Sequence, residues 1–218
     1  VKDFVITSDG EVFENKHFYK SQEKKIKKLH KQLSKKVKGS NNREKSRIKL
    51  AKAYERLTNQ KEQYLHSVVN ALLSQYDIIC MEDLNVRGML KNHKLSKAIQ
   101  ELGFSRFKSI LEDKSYNNGK RVVFVDRFYP SSKRCSCCGY KKHNLKLSDR
   151  EWVCPECGEH HDRDINASIN ILMEGERIIG IRDAEYTLVE SPTVDDRNLC
   201  FLKSSDSMKQ EEEYCKSC

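Results

Sequence analysis

The sequence predicts an α/β protein with a long helical hairpin and a small ribbon held by four cysteines. Short apolar runs near residues 3–7, 11–14, 77–82 and 121–127 have the length and flanking turns of β-strands. Apolar side chains within residues 18–75 instead recur every three or four positions, the period of an amphipathic helix. Two Cys-x-x-Cys pairs follow the last strand, and the fifteen residues between them are typical of a zinc site.

Charge is distributed unevenly along the 218 residues, whose formal net charge is +9. Residues 16–61 carry 17 Lys or Arg against three Glu, whereas residues 183–218 carry nine acidic and four basic side chains. The last segment, 182–218, is serine-rich and lacks periodicity, so it is predicted to be an acidic disordered tail. A basic body indicates a polyanionic partner, with nucleic acid as the first candidate.

The location of the protein is constrained by its cysteines and by its apolar runs. No stretch approaches the length of a membrane span, and no secretory signal is recognisable. Cysteines in a metal motif without such a signal are typical of a reducing compartment. A cytoplasmic, nucleoid-associated protein without a membrane partner is therefore predicted.

The first elements are predicted to be a β-hairpin and a helical pair. Asp9-Gly10 joins the first two strands and is a strong hairpin signal. Residues 18–75 should form two antiparallel helices that break near residues 39–42. Five lysines of the first helix are candidate nucleic-acid-binding residues: Lys24, Lys27, Lys28, Lys31 and Lys35. A solvated lysine face is the alternative, but acidic partners are scarce here. Phosphate contacts would make binding strongly salt-dependent.

The third predicted strand ends in a carboxylate. Residues 78–81 are apolar, as in a buried strand, and Glu82 follows them directly. A carboxylate in that position is costly unless it is paired or binds a metal ion, so Glu82 is a candidate magnesium ligand. Residues 85–94 are expected to form a loop, and residues 95–115 a helix that precedes the strand at 121–127.

The two cysteine pairs predict a structural zinc site. Cys135, Cys138, Cys154 and Cys157 would supply four thiolates, which leaves no open coordination position for catalysis. Cys137 is a fifth thiol that could take the place of Cys138. A disulfide framework is the alternative, although the lack of a secretory signal disfavours it.

Acidic residues mark the start of the final helix. Asp162 and Asp164 precede an apolar helix predicted at residues 165–174. Such residues ordinarily cap a helix or complement its dipole, while the alternative is that Asp164 binds magnesium. The neighbouring His160 and His161 are either replacement metal ligands, polar groups near a reacting phosphate, or merely exposed.

The ordered motifs resemble those of a known family. They read Y-D-I-I-C-M-E-D-L-N from Tyr76, P-S-S-K-x-C-x-x-C-G from Pro130, C-x-x-C-G from Cys154 and H-D-R-D-x-N-A-x-x-N-I-L from His161. This set is similar to the insertion-sequence OrfB/TnpB proteins, long described as transposases and related to the type V CRISPR effector nucleases. The resemblance implies a partial RNase H-like (RuvC) sheet, an inserted zinc ribbon, and a Mg²⁺-dependent endonuclease that a guide RNA directs to DNA. By motif position, Glu82 matches the second catalytic carboxylate and Asp164 the third, with Asp162 as a close neighbour.

The resemblance also implies a domain division. Residues 1–130 would form the RuvC-like core with the basic hairpin at 18–75, residues 131–162 the ribbon, and residues 163–181 the last core helix. The family's first catalytic aspartate lies in a G-x-D-x-G motif that has no counterpart here. We therefore expect the C-terminal portion of a longer protein, or a degenerate remnant, with little or no cleavage by this chain alone. The alternative is a non-catalytic, nucleic-acid-binding zinc-ribbon remnant.

Overall fold

The computed structural model describes residues 3–93, 96–146 and 148–181. The predicted acidic tail at 182–218 lies outside the described residues. The chain divides into two compact units. Of the described residues, the first unit comprises 15–71 and 86–110, and the second comprises 3–14, 72–85, 111–146 and 148–181.

The first unit is built on the predicted helical pair. Helix α1 spans Phe18–Ser34 and helix α2 spans Asn41–Gln75, so the chain breaks where the sequence predicts. Contacts pair Phe18 with Tyr64, Gln22 with Gln60 and His30 with Tyr54, which establishes the antiparallel arrangement. The buried side chains of α1 and α2 in this unit are Ile26, Leu50, Ala53, Leu65, Val68 and Val69. The antiparallel pair predicted from the apolar period is confirmed.

Two polar side chains form hydrogen bonds to the backbone in the connection between α1 and α2. Ser40 Oγ accepts a hydrogen bond from the Arg43 backbone N–H at 3.2 Å. The Arg43 guanidinium in turn donates to the carbonyls of Leu33 and Lys36, each at 3.2 Å. The end of α1 thus gains hydrogen-bond partners for carbonyls that the helix itself leaves open.

The helix predicted at residues 95–115 is interrupted. Helix α4 spans Ser96–Leu102 and helix α5 spans Phe104–Asn117, with Gly103 between them at φ 72°. The left-handed backbone favours glycine at this position, whereas the nearby Lys61 Cε, 2.7 Å from where a Cβ would lie, belongs to a flexible side chain end that could move. The predicted loop at 85–94 contains a short helix, α3, at Val86–Leu90. Among the described residues, no helix combines the length and apolarity that crossing a membrane requires.

The second unit contains the strands. Strands β1 (Asp3–Ile6) and β2 (Val12–Glu14) pair antiparallel, and β3 (Ile78–Glu82) pairs parallel with β4 (Arg121–Val125). The four predicted strands are therefore present, and the α/β class is confirmed. Among the described residues they form two two-stranded sheets, β1–β2 and β3–β4, and the partial RNase H-like sheet that the resemblance implies stays a prediction. The pattern of a strand does not encode which neighbour shares its hydrogen bonds.

Helix α6 ties this unit together. It spans Arg163–Ile178 and contacts β1, β3 and β4, as well as β6 (His160–Asp162), which pairs antiparallel with β5 (Glu151–Val153). Gly175 of α6 lies so close to β3 that a Cβ there would overlap the side chain of Cys80. The helix predicted at 165–174 is thus confirmed and begins two residues earlier. It places the segment from Asp162 to Asp164 at the point where the ribbon ends.

Candidate metal centre and acidic site

The four cysteines lie on two turns of the same shape, at residues 135–139 and 154–158, each of which is called a knuckle below. Gly139 N–H donates to the Cys135 carbonyl at 3.0 Å, and Gly158 N–H donates to the Cys154 carbonyl at 2.9 Å. The two glycines have φ angles of 77° and 78°, so each closes its turn in the left-handed region. The backbone repeat explains why the sequence repeats Cys-x-x-Cys-Gly.

The four thiols converge on one point. All four Sγ atoms lie within 4.8 Å of one another, with Cys135 to Cys157 at 3.6 Å and Cys138 to Cys154 at 3.5 Å. Tetrahedral zinc with bonds of about 2.3 Å would separate neighbouring sulfurs by roughly 3.8 Å. The quartet can therefore hold a metal ion, and it uses Cys138 instead of Cys137. Its members are free thiols, so the alternative of a disulfide framework is wrong for these four residues.

The surroundings shift the pKa values of Cys135 and Cys154 in opposite directions. Burial raises the pKa of Cys135 to about 12. Burial also acts on Cys154, but the backbone N–H groups of Cys157 and Glu156 outweigh it and bring the pKa of Cys154 to about 7. A bound cation must displace the remaining thiol protons, so its affinity is expected to rise with pH.

A buried histidine supports the quartet. His161 Nε2 lies 3.0 Å from Cys135 Sγ, and its ring packs against Trp152 with the centroids 4.7 Å apart. His161 and Trp152 are paired residues of β6 and β5 and are 6% and 4% exposed. The exposed location considered for His161 is therefore wrong, while His160 is exposed and its Nε2 lies 3.6 Å from a Glu151 carboxylate oxygen. The two histidines differ because successive side chains of a strand point to opposite faces, so one is exposed and the next is buried. This difference can be predicted only when β6 is known to be a strand.

The two aspartates at the start of α6 have different partners. Asp162 is the N-cap, and its Oδ1 accepts hydrogen bonds from the backbone N–H groups of Asp164 and Ile165, each at 2.9 Å. Asp164 instead receives Arg150 Nη1 at 2.7 Å and Arg163 Nη2 at 2.9 Å. The capping interpretation therefore holds for Asp162, whereas Asp164 is an ion-paired carboxylate at one third exposure.

Glu82 lies at the end of β3, and its carboxylate has no compensating partner in the part of the chain that the structure describes. It is half-buried, and burial raises the pKa of its carboxyl group. No described group donates a hydrogen bond to that carboxylate, whereas the next residue, Asp83, is ion-paired with Arg127. An uncompensated carboxylate at a strand end is the arrangement expected of a functional group, because it has no role in holding the fold together.

The predicted magnesium ligands are not gathered into a cluster. Among the described residues, the cysteine quartet alone brings three or more potential ligand atoms together. Glu82 ends β3 and Asp164 lies in the first turn of α6, and α6 packs against both β3 and β4. The structure therefore puts the two carboxylates on contacting elements but does not assemble a complete magnesium site.

Replacing Glu82 by glutamine is expected to stabilise the protein at neutral pH. Because the pKa of Glu82 is raised on folding, its contribution to stability is largest below the usual glutamate pKa and is lost as the pH rises. Glutamine resembles the protonated form at every pH. The gain should be on the order of 0.5 to 1 kcal/mol after solvent screening, measured by urea unfolding, and should vanish in acid.

The matched control for that change is Glu174→Gln. A hydrogen bond from Arg177 lowers the pKa of Glu174, so its contribution is present above the usual pKa and lost as the pH falls. Glu174→Gln should therefore destabilise the protein at neutral pH. A loss of stability in Glu82→Gln at pH 7 would contradict the assignment of Glu82 as an uncompensated carboxylate.

The predicted nucleic-acid-binding lysines have exposed side chains; four of them lie in α1, and Lys35 is its C-cap residue. Lys24, Lys28, Lys31 and Lys35 follow one face at helical spacing. Lys27 pairs with Glu23 at 3.1 Å, while none of the other four lies within ion-pairing distance of a described carboxylate. These four charges are available to a polyanion.

Two family models match this chain. Residues 1–93 match the IS605-type OrfB model, described as "Probable transposase". Residues 104–171 match the "Cas12f1-like, TNB domain" model. The two matched regions contain β3 with Glu82 and the cysteine quartet with the first turns of α6, respectively.

Individual relatives agree with these matches. The "Putative RNA-guided DNA endonuclease" of Streptomyces pristinaespiralis is 38% identical over 80% of this chain and 43% of its own length. InsQ of Escherichia coli (strain K12), described in the same words, is 31% identical over 79% of this chain and 46% of its own length. This chain thus spans about half the length of the curated relatives it matches.

A solved structure shares the fold. The chain aligns with a protein chain of a Cas12f1–sgRNA–target DNA complex at a TM-score of 0.51 and 18% sequence identity. The alignment covers 74% of this chain and 43% of that one. At this level of identity the likeness concerns the fold alone.

Proposed function

Residues 1–93 match the IS605-type OrfB model and residues 104–171 the Cas12f1-like TNB model, and we propose that the chain forms part of an RNA-guided DNA endonuclease of the OrfB/TnpB family of insertion sequences. The observation that carries the proposal is the order of the matched regions. Glu82 ends β3 within the first region, and Asp164 follows the cysteine quartet in the second. DNA and a guide RNA are the proposed partners, as the names of the relatives indicate for those proteins.

The proposed architecture is a partial RuvC-like, RNase H-type core with an inserted zinc ribbon. Its parts would be the core at residues 1–130 with the basic hairpin at 18–75, the ribbon at 131–162 and the last core helix at 163–181. The parallel pair β3–β4 with α6 packed on it supports this arrangement. The likeness to the Cas12f1 chain supports it at the level of the fold.

Zinc is the ion that best suits the cysteine quartet. Four thiolates at tetrahedral spacing are the donor set of structural zinc, and they leave no position for a substrate. His161, next to Cys135 Sγ, would donate a hydrogen bond to that thiolate and so offset part of its charge. The role of this ion is therefore to hold the ribbon, not to act in cleavage.

Magnesium would be held by Glu82 and Asp164, with Asp162 as a possible neighbour in the site. Carboxylate oxygens are the ligands that Mg²⁺ prefers, and in phosphodiester cleavage the ion activates water and stabilises the leaving oxygen. Glu82 is free to serve because its carboxylate has no partner among the described residues. Asp164 would exchange its pairing with Arg150 for the ion, whereas Asp162 already caps α6.

The test is a cleavage assay on the chain produced together with the DNA that flanks its gene. RNA transcribed from that flank should copurify, and any Mg²⁺-dependent cleavage of a guide-matched plasmid should fall by about 1000-fold in Asp164→Asn and in Glu82→Gln. The matched control is Asp113→Asn, because Asp113 is an exposed carboxylate of α5. Copurified RNA should be retained in all three variants.

The competing function is that of a non-catalytic zinc-ribbon protein that binds nucleic acid. The same assay separates the two, since this alternative requires the quartet and the lysines but neither Glu82 nor Asp164. Because little or no cleavage is expected of this chain alone, binding without cleavage fits both functions, whereas cleavage that is lost in Glu82→Gln and in Asp164→Asn favours the endonuclease. Absence of bound RNA contradicts the proposal itself.

A further inference from the structure

Two fully buried asparagines join the first cysteine knuckle to α6. Asn166 and Asn170 are each 1% exposed and lie one helical turn apart on α6. Buried amide side chains are costly unless they are hydrogen-bonded, so their partners identify what they hold. Neither residue is a metal ligand or a candidate catalytic group.

Asn166 forms hydrogen bonds to the backbone on both sides of Cys135. Its Nδ2 donates to the Arg134 carbonyl at 2.7 Å, and its Oδ1 accepts from the Ser136 N–H at 3.0 Å. These backbone groups flank Cys135 on either side. The orientation of the amide is fixed, because the reversed amide would place an NH₂ against an N–H and an oxygen against a carbonyl.

Asn170 holds the chain that leads into the same knuckle. Its Nδ2 donates to the Ser131 carbonyl at 2.9 Å and to the Arg134 carbonyl at 2.7 Å. The Arg134 carbonyl therefore receives a hydrogen bond from both asparagines. Residues 131–136 are attached to α6 at three backbone positions.

The knuckle also contacts the other side of the acidic segment. His161, whose Nε2 lies 3.0 Å from Cys135 Sγ, immediately precedes Asp162. Asn166 follows Asp164 by two residues. Contacts to one knuckle therefore lie on both sides of the segment that carries the two aspartates, at His161 before it and at Asn166 after it.

We propose that Asn166 and Asn170 are positioning residues that couple metal binding at the quartet to the conformation of the Asp162–Asp164 segment. Without metal the knuckle loses the constraint on its cysteines, so the backbone groups bonded to the two amides are no longer held in place. The amides then remain buried without partners, and the start of α6 loosens to hydrate them. The coupling itself stands on these contacts, and only the catalytic role of Asp164 rests on the proposed function.

The first measurement is the affinity of the full chain for Zn²⁺, determined by competition with a chromophoric chelator. Asn166→Asp removes the donor to the Arg134 carbonyl and places a charge in the buried site. The affinity is expected to fall about 10- to 100-fold, as for other groups that orient metal ligands. Asn144→Asp is the matched control, since Asn144 is an exposed ribbon residue and should leave the affinity unchanged.

The second measurement is amide hydrogen exchange at Asp164 and Ile165, whose N–H groups donate to Asp162. In the parent chain, removal of zinc by a chelator should accelerate exchange at both amides. In Asn166→Asp with zinc bound, exchange should already be fast, and the response to the chelator should shrink. A residue that only stabilised the fold would leave that metal response intact.

Either of two results would overturn the inference. One is equal exchange at Asp164 and Ile165 with and without zinc in the parent chain; the other is parental zinc affinity in Asn166→Asp. If Asn166→Asp does not fold, Asn170→Ser is measured by the same criteria, because it removes two donors without adding charge. Neither measurement involves nucleic acid, so failure here is distinct from failure of the endonuclease proposal.

Discussion

Replacing Cys135 by alanine is expected to abolish tight zinc binding and to unfold the ribbon. Cys135 is 1% exposed and contributes one of four convergent thiols. Structural zinc supplies about 10–16 kcal/mol of apparent binding free energy in small zinc domains at neutral pH, so the loss of one ligand removes most of what holds such a module. The core of the ribbon otherwise consists of Leu145 and Trp152 with the cysteines themselves.

The chain contains a built-in reporter for this experiment. Trp152 is its single tryptophan, and it is 4% exposed within the ribbon. Its emission should shift to the red in Cys135→Ala and in the parent chain treated with a chelator, while metal analysis should fall from one equivalent to none. Lowering the pH should weaken zinc binding, because protons compete for the thiolates.

Cys80→Ala is the matched control for the quartet. Cys80 is also a free thiol, but it lies in β3 beside Gly175 and far along the chain from both knuckles. One zinc equivalent and an unshifted Trp152 emission are expected in this variant. Full zinc occupancy in Cys135→Ala would contradict the assignment of the quartet as the metal centre.

Changing the five candidate lysines, four in α1 and one at its C-cap, to glutamine is expected to remove most of the salt-dependent binding to nucleic acid. The five are Lys24, Lys27, Lys28, Lys31 and Lys35. If each neutralises one phosphate, raising the salt concentration from 50 to 200 mM should weaken binding by the parent chain by about 100- to 500-fold through these contacts. The variant should lose roughly 3.5 to 4.5 units of the log–log slope, measured by filter binding at several salt concentrations.

The control must separate a specific surface from a general loss of positive charge. A variant with the same change in net charge carries glutamine at Lys91, Arg121, Lys133, Lys141 and Lys146, all of which are exposed. It should keep most of the salt slope if α1 is the principal phosphate-binding face. Equal slopes in the two variants would show that the position of the charge does not matter, and the prediction for α1 would be wrong.

The strands, the helices and the four cysteine ligands of the metal centre could be predicted from the sequence. The strands at Ile78–Glu82 and Arg121–Val125 and the break between α1 and α2 were all predictable, because apolar period and turn residues are local properties. The quartet was predictable because the spacing within and between Cys-x-x-Cys pairs reflects ligand geometry directly.

Glycine inside the helical pattern was a weaker signal. Gly103 interrupts an otherwise continuous apolar stripe, and sequence alone does not say whether such a glycine is tolerated or ends the helix. The structure shows that the helix ends there, because Gly103 adopts a left-handed backbone at φ 72° and its Cα hydrogen faces the side chain end of Lys61. Residues 61 and 103 are brought together only by the packing of α2 against the α4–α5 turn.

Some polar residues look alike in sequence, and only the folded structure shows which partner each of them has. Asp162 and Asp164 look alike in sequence, yet Asp162 caps α6 while Asp164 pairs with Arg150 and Arg163. Likewise, nothing local distinguishes buried Asn166 from exposed Asn144. A hydrogen bond depends on the position and direction of a partner that is often distant in the chain, whereas hydrophobic period and ligand spacing are fixed by neighbours. For that reason the sequence indicates the strands, helices and thiols, and only the folded chain shows how the knuckle, the helix and the carboxylates are connected.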